Sequence, residues 1–158
     1  MITLGKHRSE LGFTLVEVLV VLVVLGVLMT LALPMFLGAR VRAQDRTAEA
    51  VLRSGLTAAL TYWTDGATFT ALDAGCSAVP DDCAVADGIE RSVAWVGPGA
   101  PAAQEVSIVV ASGNSLLLVS RSVAGDYLCV AQSTGQTDRG RGSTFVDVDT
   151  LVECAGGW

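Results

Sequence analysis

Hydrophobic and polar positions fall into four regimes along this chain. The first twelve residues are polar and basic. From Val18 to Ala39 there is no charged residue, a run of 22 positions, more than the ~18–20 that a membrane-spanning helix needs. After Arg40 the apolar residues recur every three or four positions, at Ala48, Val51, Leu52, Gly55, Leu56, Ala59, Leu60 and Trp63, the stripe of a helix with one buried face. Asp65-Gly66 supplies a stop. The pattern predicts one continuous helix from Phe13 to about Thr64, roughly 75–80 Å long at 1.5 Å per residue. Pro34 lies inside it and should kink or loosen the preceding turn, because it lacks an N–H and its ring crowds the carbonyls before it.

From Phe69 onward the pattern changes to loops and strands. A connecting stretch runs from Ala71 to Gly88. Candidate strands are Ser92–Val96, Glu105–Ser112, Ser115–Arg121, Tyr127–Gln132 and Thr144–Val148, while Gly97–Ala103 and Ser133–Ser143 read as loops from their glycine and proline content. Gly113-Asn114 between two apolar runs signals a two-residue hairpin turn. Pairing across it places Val110 opposite Leu117 and Ile108 opposite Val119, a face suited to pack on the Leu52–Leu56–Leu60 stripe. The expected class is α+β: a long N-terminal helix, apolar in its first half and amphipathic in its second, packed on a small antiparallel sheet.

Charge sharpens this picture. The net charge is −6, yet the only lysine, Lys6, and the only histidine, His7, stand beside Arg8 in the first twelve residues. A basic cluster before an apolar span stays on the cytoplasmic side, so the rest of the chain is expected to be exported. The exported part is acidic, which argues against nucleic-acid binding; Arg139 and Arg141, in a glycine-rich stretch, read as solvated. Four cysteines, Cys76, Cys83, Cys129 and Cys154, all fall beyond the span. An even count in a small exported domain favours disulfides. Zinc would need closely spaced ligand pairs, and six, 45 and 24 intervening residues do not supply them.

The junction carries the most specific signal. It reads Leu11-Gly12-Phe13-Thr14-Leu15-Val16-Glu17 and then only apolar residues, with Pro34 at the twenty-second place after Gly12. In combination, over about 30 residues, it resembles the cleavage-and-methylation signature of type IV pilins and pseudopilins. That resemblance implies a leader, residues 1–12, removed after Gly12 by a membrane prepilin peptidase that needs a residue without a side chain there. The same enzyme would methylate the new amine of Phe13. The mature chain would comprise the helix 13–65, including the span 18–39, and a globular pilin-like head, 66–158. It would enter the inner membrane as a single-pass precursor with its leader in the cytoplasm. A membrane platform and assembly ATPase would then move it from the lipid into a helical filament on or outside the cell surface.

Several residues acquire roles within that expectation. Glu17 stands one position before the charge-free span, where a carboxylate at mid-membrane costs about 2.5–3.5 kcal/mol. Either it rests at the headgroup boundary, or in a filament it meets the Phe13 amine of a neighbouring subunit and enforces register. Thr14 suits a helix N-cap. The turn around Pro34 loosens in this family when the subunit leaves the bilayer, with Gly26 two turns earlier. The cysteines are expected to pair as neighbours in sequence, Cys76 with Cys83 and Cys129 with Cys154, the second bounding a C-terminal loop as in many pilins. Asp147, Asp149 and Glu153 could suggest a calcium loop, since some pseudopilins hold calcium near the C-terminus, but alternating acids on a solvent-facing strand are commoner. No metal or cofactor is expected.

Other classes fit less well. With the leader gone the chain would hold no histidine or lysine, which excludes a Ser-His-Asp triad, a Cys-His pair and a lysine nucleophile. Asp81-Asp82 adjoin in a cysteine loop without an evident apolar pocket. No enzyme is expected. A plain membrane-anchored ectodomain with signal-peptidase cleavage near Thr30-Leu31-Ala32 would need a shorter apolar stretch and would leave Gly12–Glu17 unexplained. A sortase-linked pilin would need a lysine. A structural filament subunit is the expected function, with a pseudopilin of a type II secretion or competence system as the alternative.

Overall fold

The computed structural model describes residues 12–76 and 83–158. The expected leader, residues 1–12, lies outside them except for Gly12, as does the Asp81-Asp82 pair. The long helix is present as one element, α1, Leu15–Gly66, unbroken through Pro34. Thr14 rather than Phe13 precedes its first turn. The Thr14 hydroxyl accepts the Glu17 N–H at 3.2 Å and its carbonyl accepts the N–H groups of Glu17 and Val18, so one threonine takes up donors the first turn leaves orphaned. Pro34 deprives the Thr30 carbonyl of its usual helical donor, and the Thr30 hydroxyl turns back to the Val27 carbonyl at 2.7 Å. At the other end Ala67, with φ of 51°, closes the helix by donating its N–H to the Trp63 carbonyl at 2.6 Å.

Two compact units divide the chain after Ala39, and each is described by itself. The first is the apolar part of α1, whose large side chains from Phe13 to Leu37 are all exposed. The second begins at Arg40 and contains the rest of α1 together with α2 (Ala84–Ile89) and five strands: β1 (Ala94–Val96), β2 (Glu105–Ser112), β3 (Ser115–Arg121), β4 (Tyr127–Ser133) and β5 (Gln136–Gly142). The strands lie in chain order. β2 to β5 are antiparallel, and β1 adds a parallel edge beside β2.

The sheet is covered on both faces. On one, Ala48, Leu52, Ala58 and Ala59 of α1 meet Trp95, Val106, Ile108, Leu116, Leu118, Leu128 and Val130. On the other, Leu117, Val119, Cys129 and Ala131 meet Val148 and Cys154 of the C-terminal segment. A strand enclosed on both faces reads as a continuous apolar run, and Leu116–Ser120 of β3 are buried without interruption.

Three expectations need correction. Val110 pairs with Leu117, but Ile108 pairs with Leu118, not Val119, because a bulge intervenes between Ile108 and Val110. The extra residue puts Val109 and Val110 both on the C-terminal-segment side, so it is Ile108 with Leu116 and Leu118 that faces α1. A bulge sets two residues of one strand against one of its partner, and simple alternation cannot anticipate it.

Second, Gln136–Gly142 is a strand, not a loop. It pairs with β4 along its whole length through the turn Thr134-Gly135, whose φ values of 46° and 85° are both positive, as a type I′ hairpin requires. Its glycines mark close approach. A Cβ on Gly140 would stand 2.9 Å from both the Ala155 nitrogen and Cys129 Sγ, and one on Gly142 would stand 2.4 Å from the Asp147 Cβ.

Third, Thr144–Val148 is not a strand. Phe145–Asp147 form a 3-10 turn closed by a capping box between Thr144 and Asp147, in which the Thr144 N–H donates to the Asp147 carboxylate at 2.8 Å.

Candidate functional site

The junction Gly12–Glu17 sits at the free start of α1. Phe13 is 77 % exposed, and Glu17 lies in the first helical turn, where the partial positive charge of the helix end favours a carboxylate. Glu17 forms no ion pair among the described residues. A methyl group placed on Gly12 would meet nothing within 4 Å, so no described part of the fold demands glycine at this position. Behind the junction, α1 is long and apolar enough to cross a membrane, with none of its most apolar window buried by the chain itself. Pro34 stands in the same exposed run.

The structure joins Cys76 to Cys83 and Cys129 to Cys154. The second bond ties the C-terminal segment to the centre of β4, and Trp158 follows it back. Its indole N–H donates to the Cys129 carbonyl at 3.2 Å, and its ring lies 5.2 Å from the Arg53 guanidinium and 5.0 Å from that of Arg139, contacts in which each cation is attracted to the aromatic π-system.

Arg141 is likewise not free in solvent. It donates to Asp45 on α1 at 2.8 Å and is paired with Asp126 in the β3–β4 turn. The hydrogen bond to Asp126, with the charge of Asp45 behind it, holds the Arg141 guanidinium above its usual value although burial acts the other way. Ser122 completes the cluster by donating to Asp45 at 2.7 Å. Asp45 is 5 % exposed, a buried carboxylate whose burial is offset by these hydrogen bonds and its ion pair. A signal for it existed in the sequence: Asp45 falls in phase with the stripe Ala48–Leu52–Gly55–Ala59, where a charge needs a partner.

The acids near the C-terminal segment are used locally. Asp147 is held below the usual carboxylate range by the Thr144 backbone and side chain. Glu153 accepts the Thr150 hydroxyl at 2.7 Å, and desolvation, then Glu153, raise Asp149. No group of three or more potential metal ligands gathers among the described residues.

No curated protein and no solved structure matches the chain. Residues 7–33 match the prokaryotic N-terminal methylation motif. The match spans the junction, Glu17 and most of the apolar run, and it stops one residue before Pro34. The chain therefore carries the prepilin signature of the type IV pilins and pseudopilins.

Proposed function

We propose that this chain is a structural subunit of a type IV pilus or pilus-like filament, inserted in the inner membrane as a prepilin, cut after Gly12 and assembled through its N-terminal helix. The observation that carries the reading is the uncovered first half of α1, headed by a single exposed carboxylate. Contiguous apolar surface of that extent must be covered from outside the chain. Lipid covers it in the precursor, and the helices of neighbouring subunits cover it in the filament. The open space around Gly12 supports a requirement imposed by a peptidase rather than by the fold.

Cleavage exposes the α-amine of Phe13, and N-methylation leaves it able to carry a positive charge. In the bundle that amine meets Glu17 of an adjacent subunit. Among apolar helices an unpaired charge is costly, so the pair fixes the axial step between subunits more than it adds stability. The head, clamped by two disulfides, is exported with the subunit and has no catalytic role in this reading.

The test is Glu17→Val in cells without a wild-type copy. The variant is expected to insert, to be cleaved at Phe13 with the mass of methyl-phenylalanine at its new terminus, and then to be lost from sheared surface filaments, because the buried amine has no partner at a cost of about 3–5 kcal/mol. Normal filament yield would show that Glu17 only rests at the headgroup boundary. A mature terminus at Leu33 would overturn the processing reading itself.

A further inference from the structure

The unit that begins at Arg40 has two unlike poles, set by the direction of its strands. The register Ser112↔Ser115 and Ser133↔Gln136 puts the Gly113-Asn114 and Thr134-Gly135 turns at one pole, and Arg121↔Tyr127 puts the Ser122–Asp126 turn at the other. α1 runs from the second pole, where Asp45 meets Ser122 and Arg141, to the first.

At the first pole Leu60, Trp63, Phe69, Asn114, Gln132 and Gly135 line an apolar groove of about 330 Å³. At the opposite pole Val123 is 50 % exposed on a turn that is well braced. The Ser122 N–H donates to the Asp126 carbonyl at 2.8 Å and the Gly125 N–H to the Ser122 carbonyl at 3.0 Å, while the Ser122 hydroxyl is bound to Asp45. An apolar side chain is thus presented outward on a fixed loop.

Charge separates the poles in the same sense. Arg40, Arg42 and Arg46 are exposed on α1 beside the Val123 pole, and none forms an ion pair among the described residues. Of the acids at that pole, Asp45 and Asp126 are taken up by Arg141, Glu105 accepts the Ala102 N–H and Asp147 accepts the Thr144 N–H. At the groove pole Asp65 is exposed, the last turn of α1 holds no basic residue, and its carbonyls add partial negative charge. Opposite ends that complement each other in shape and charge make a heterologous contact, which builds an open helical array when its rotation does not close a ring.

We propose that in the filament the Val123 turn of one copy seats in the Leu60–Trp63–Phe69 groove of another, with its Arg40–Arg46 segment set against the Asp65 end of that neighbour's α1. The occupant of the groove is a second copy of this chain. The contact rests on the filament reading and adds to it a polar, head-to-tail junction between heads.

Val123→Cys combined with Asn114→Cys tests it in the full chain, with the native pairs Cys76–Cys83 and Cys129–Cys154 checked by non-reducing peptide mapping. Mild oxidation of sheared filaments is expected to give a covalent ladder of multimers, and either single variant none. Filaments that assemble but give no ladder would overturn the contact while leaving the filament reading intact. A wild-type chain found in no filament would overturn both. Val123→Asp, a change at an exposed turn, decides the matter alone if the double-cysteine chain does not assemble. It is expected to lower filament yield at least tenfold with the head disulfides intact, and wild-type yield refutes the contact.

Discussion

The two halves of α1 share a backbone conformation and differ in everything that sustains it. From Leu15 to Leu37 the large side chains are exposed all round the helix; from Arg40 onward the stripe Ala48–Leu52–Ala59 is sealed against the sheet while Arg46 and Arg53 stay outside. Each half also carries an informative carboxylate. Asp45 finds Arg141 and Ser122 within the chain, whereas Glu17 has no ion-pair partner among the described residues. One half is completed by its own fold, and the other is a surface awaiting its environment. Secondary structure alone does not report which of these a helix is; the partner of its apolar face does.

The comparison is most exposed to failure in the stability of the head, followed by near-UV circular dichroism of the detergent-solubilised chain. Leu52 is fully enclosed, so Leu52→Ala is expected to cost about 4 kcal/mol through lost burial and a cavity. Leu28→Ala, in the exposed half, is expected to change head unfolding by less than about 0.5 kcal/mol. Comparable losses from both would mean that the first half is also part of the folded core.

Next in size is the clamp on the far face of the sheet. Replacing Cys129 and Cys154 together by alanine opens a loop with a sequence separation of 25 and is expected to cost about 3.5 kcal/mol by chain entropy. Denaturant midpoints at matched slopes measure it. A change near zero would mean that Trp158, Val148 and the capped turn hold the C-terminal segment without the covalent bond.

Asp45→Ala should cost the head about 2 kcal/mol, because Ser122 and the buried side of Arg141 lose their acceptor. Glu17→Val should leave the same melting curve unmoved. If Asp45→Ala also leaves it unmoved, the contrast between an internally satisfied carboxylate and an externally satisfied one disappears.

The smallest effect is confined to acid. Asp147 has its folded value depressed by Thr144, so its contribution is complete above the unfolded value, near 3.8, and is lost as pH falls through the lower folded value. Asp147→Asn is expected to lower the thermal midpoint at pH 5 and to converge with wild type toward pH 2. A gap that stays constant over that range would show that the turn does not depend on the ionised carboxylate.

The sequence displayed long-period features better than close approaches. The helix, its two regimes, the Glu105–Ser112 and Ser115–Arg121 hairpin and the junction signature are legible because each repeats one preference over many residues. β5 is not, because Gln136–Gly142 holds no β-branched residue apart from Thr137 and owes its conformation to pairing with β4 and to the packing of Ala155 and Asp147 where Gly140 and Gly142 lack side chains. The bulge at Val109 is not legible either, because an inserted residue leaves no mark on an unbroken apolar run. At the junction, Gly12, Phe13, Glu17 and Pro34 stand out through the resemblance to the prepilin signature, which is contiguous in sequence. The Asp45–Arg141 pair does not, since its partners are 96 residues apart, although a charge in phase with an apolar stripe announced that a partner existed.

That separation also bears on the order of events as the chain folds. Asp45 comes soon after the apolar run, while the guanidinium that pairs with it belongs to the last strand. Contacts so distant along the chain cannot form until the intervening segment is available, and their closure is slow compared with that of local structure. Until β5 is in place, the second half of α1 has a stripe only partly covered and a carboxylate without its cation. Sealing of that stripe therefore waits on the last strand, and a chain cut short of Arg141 leaves the base of its helix open to proteases.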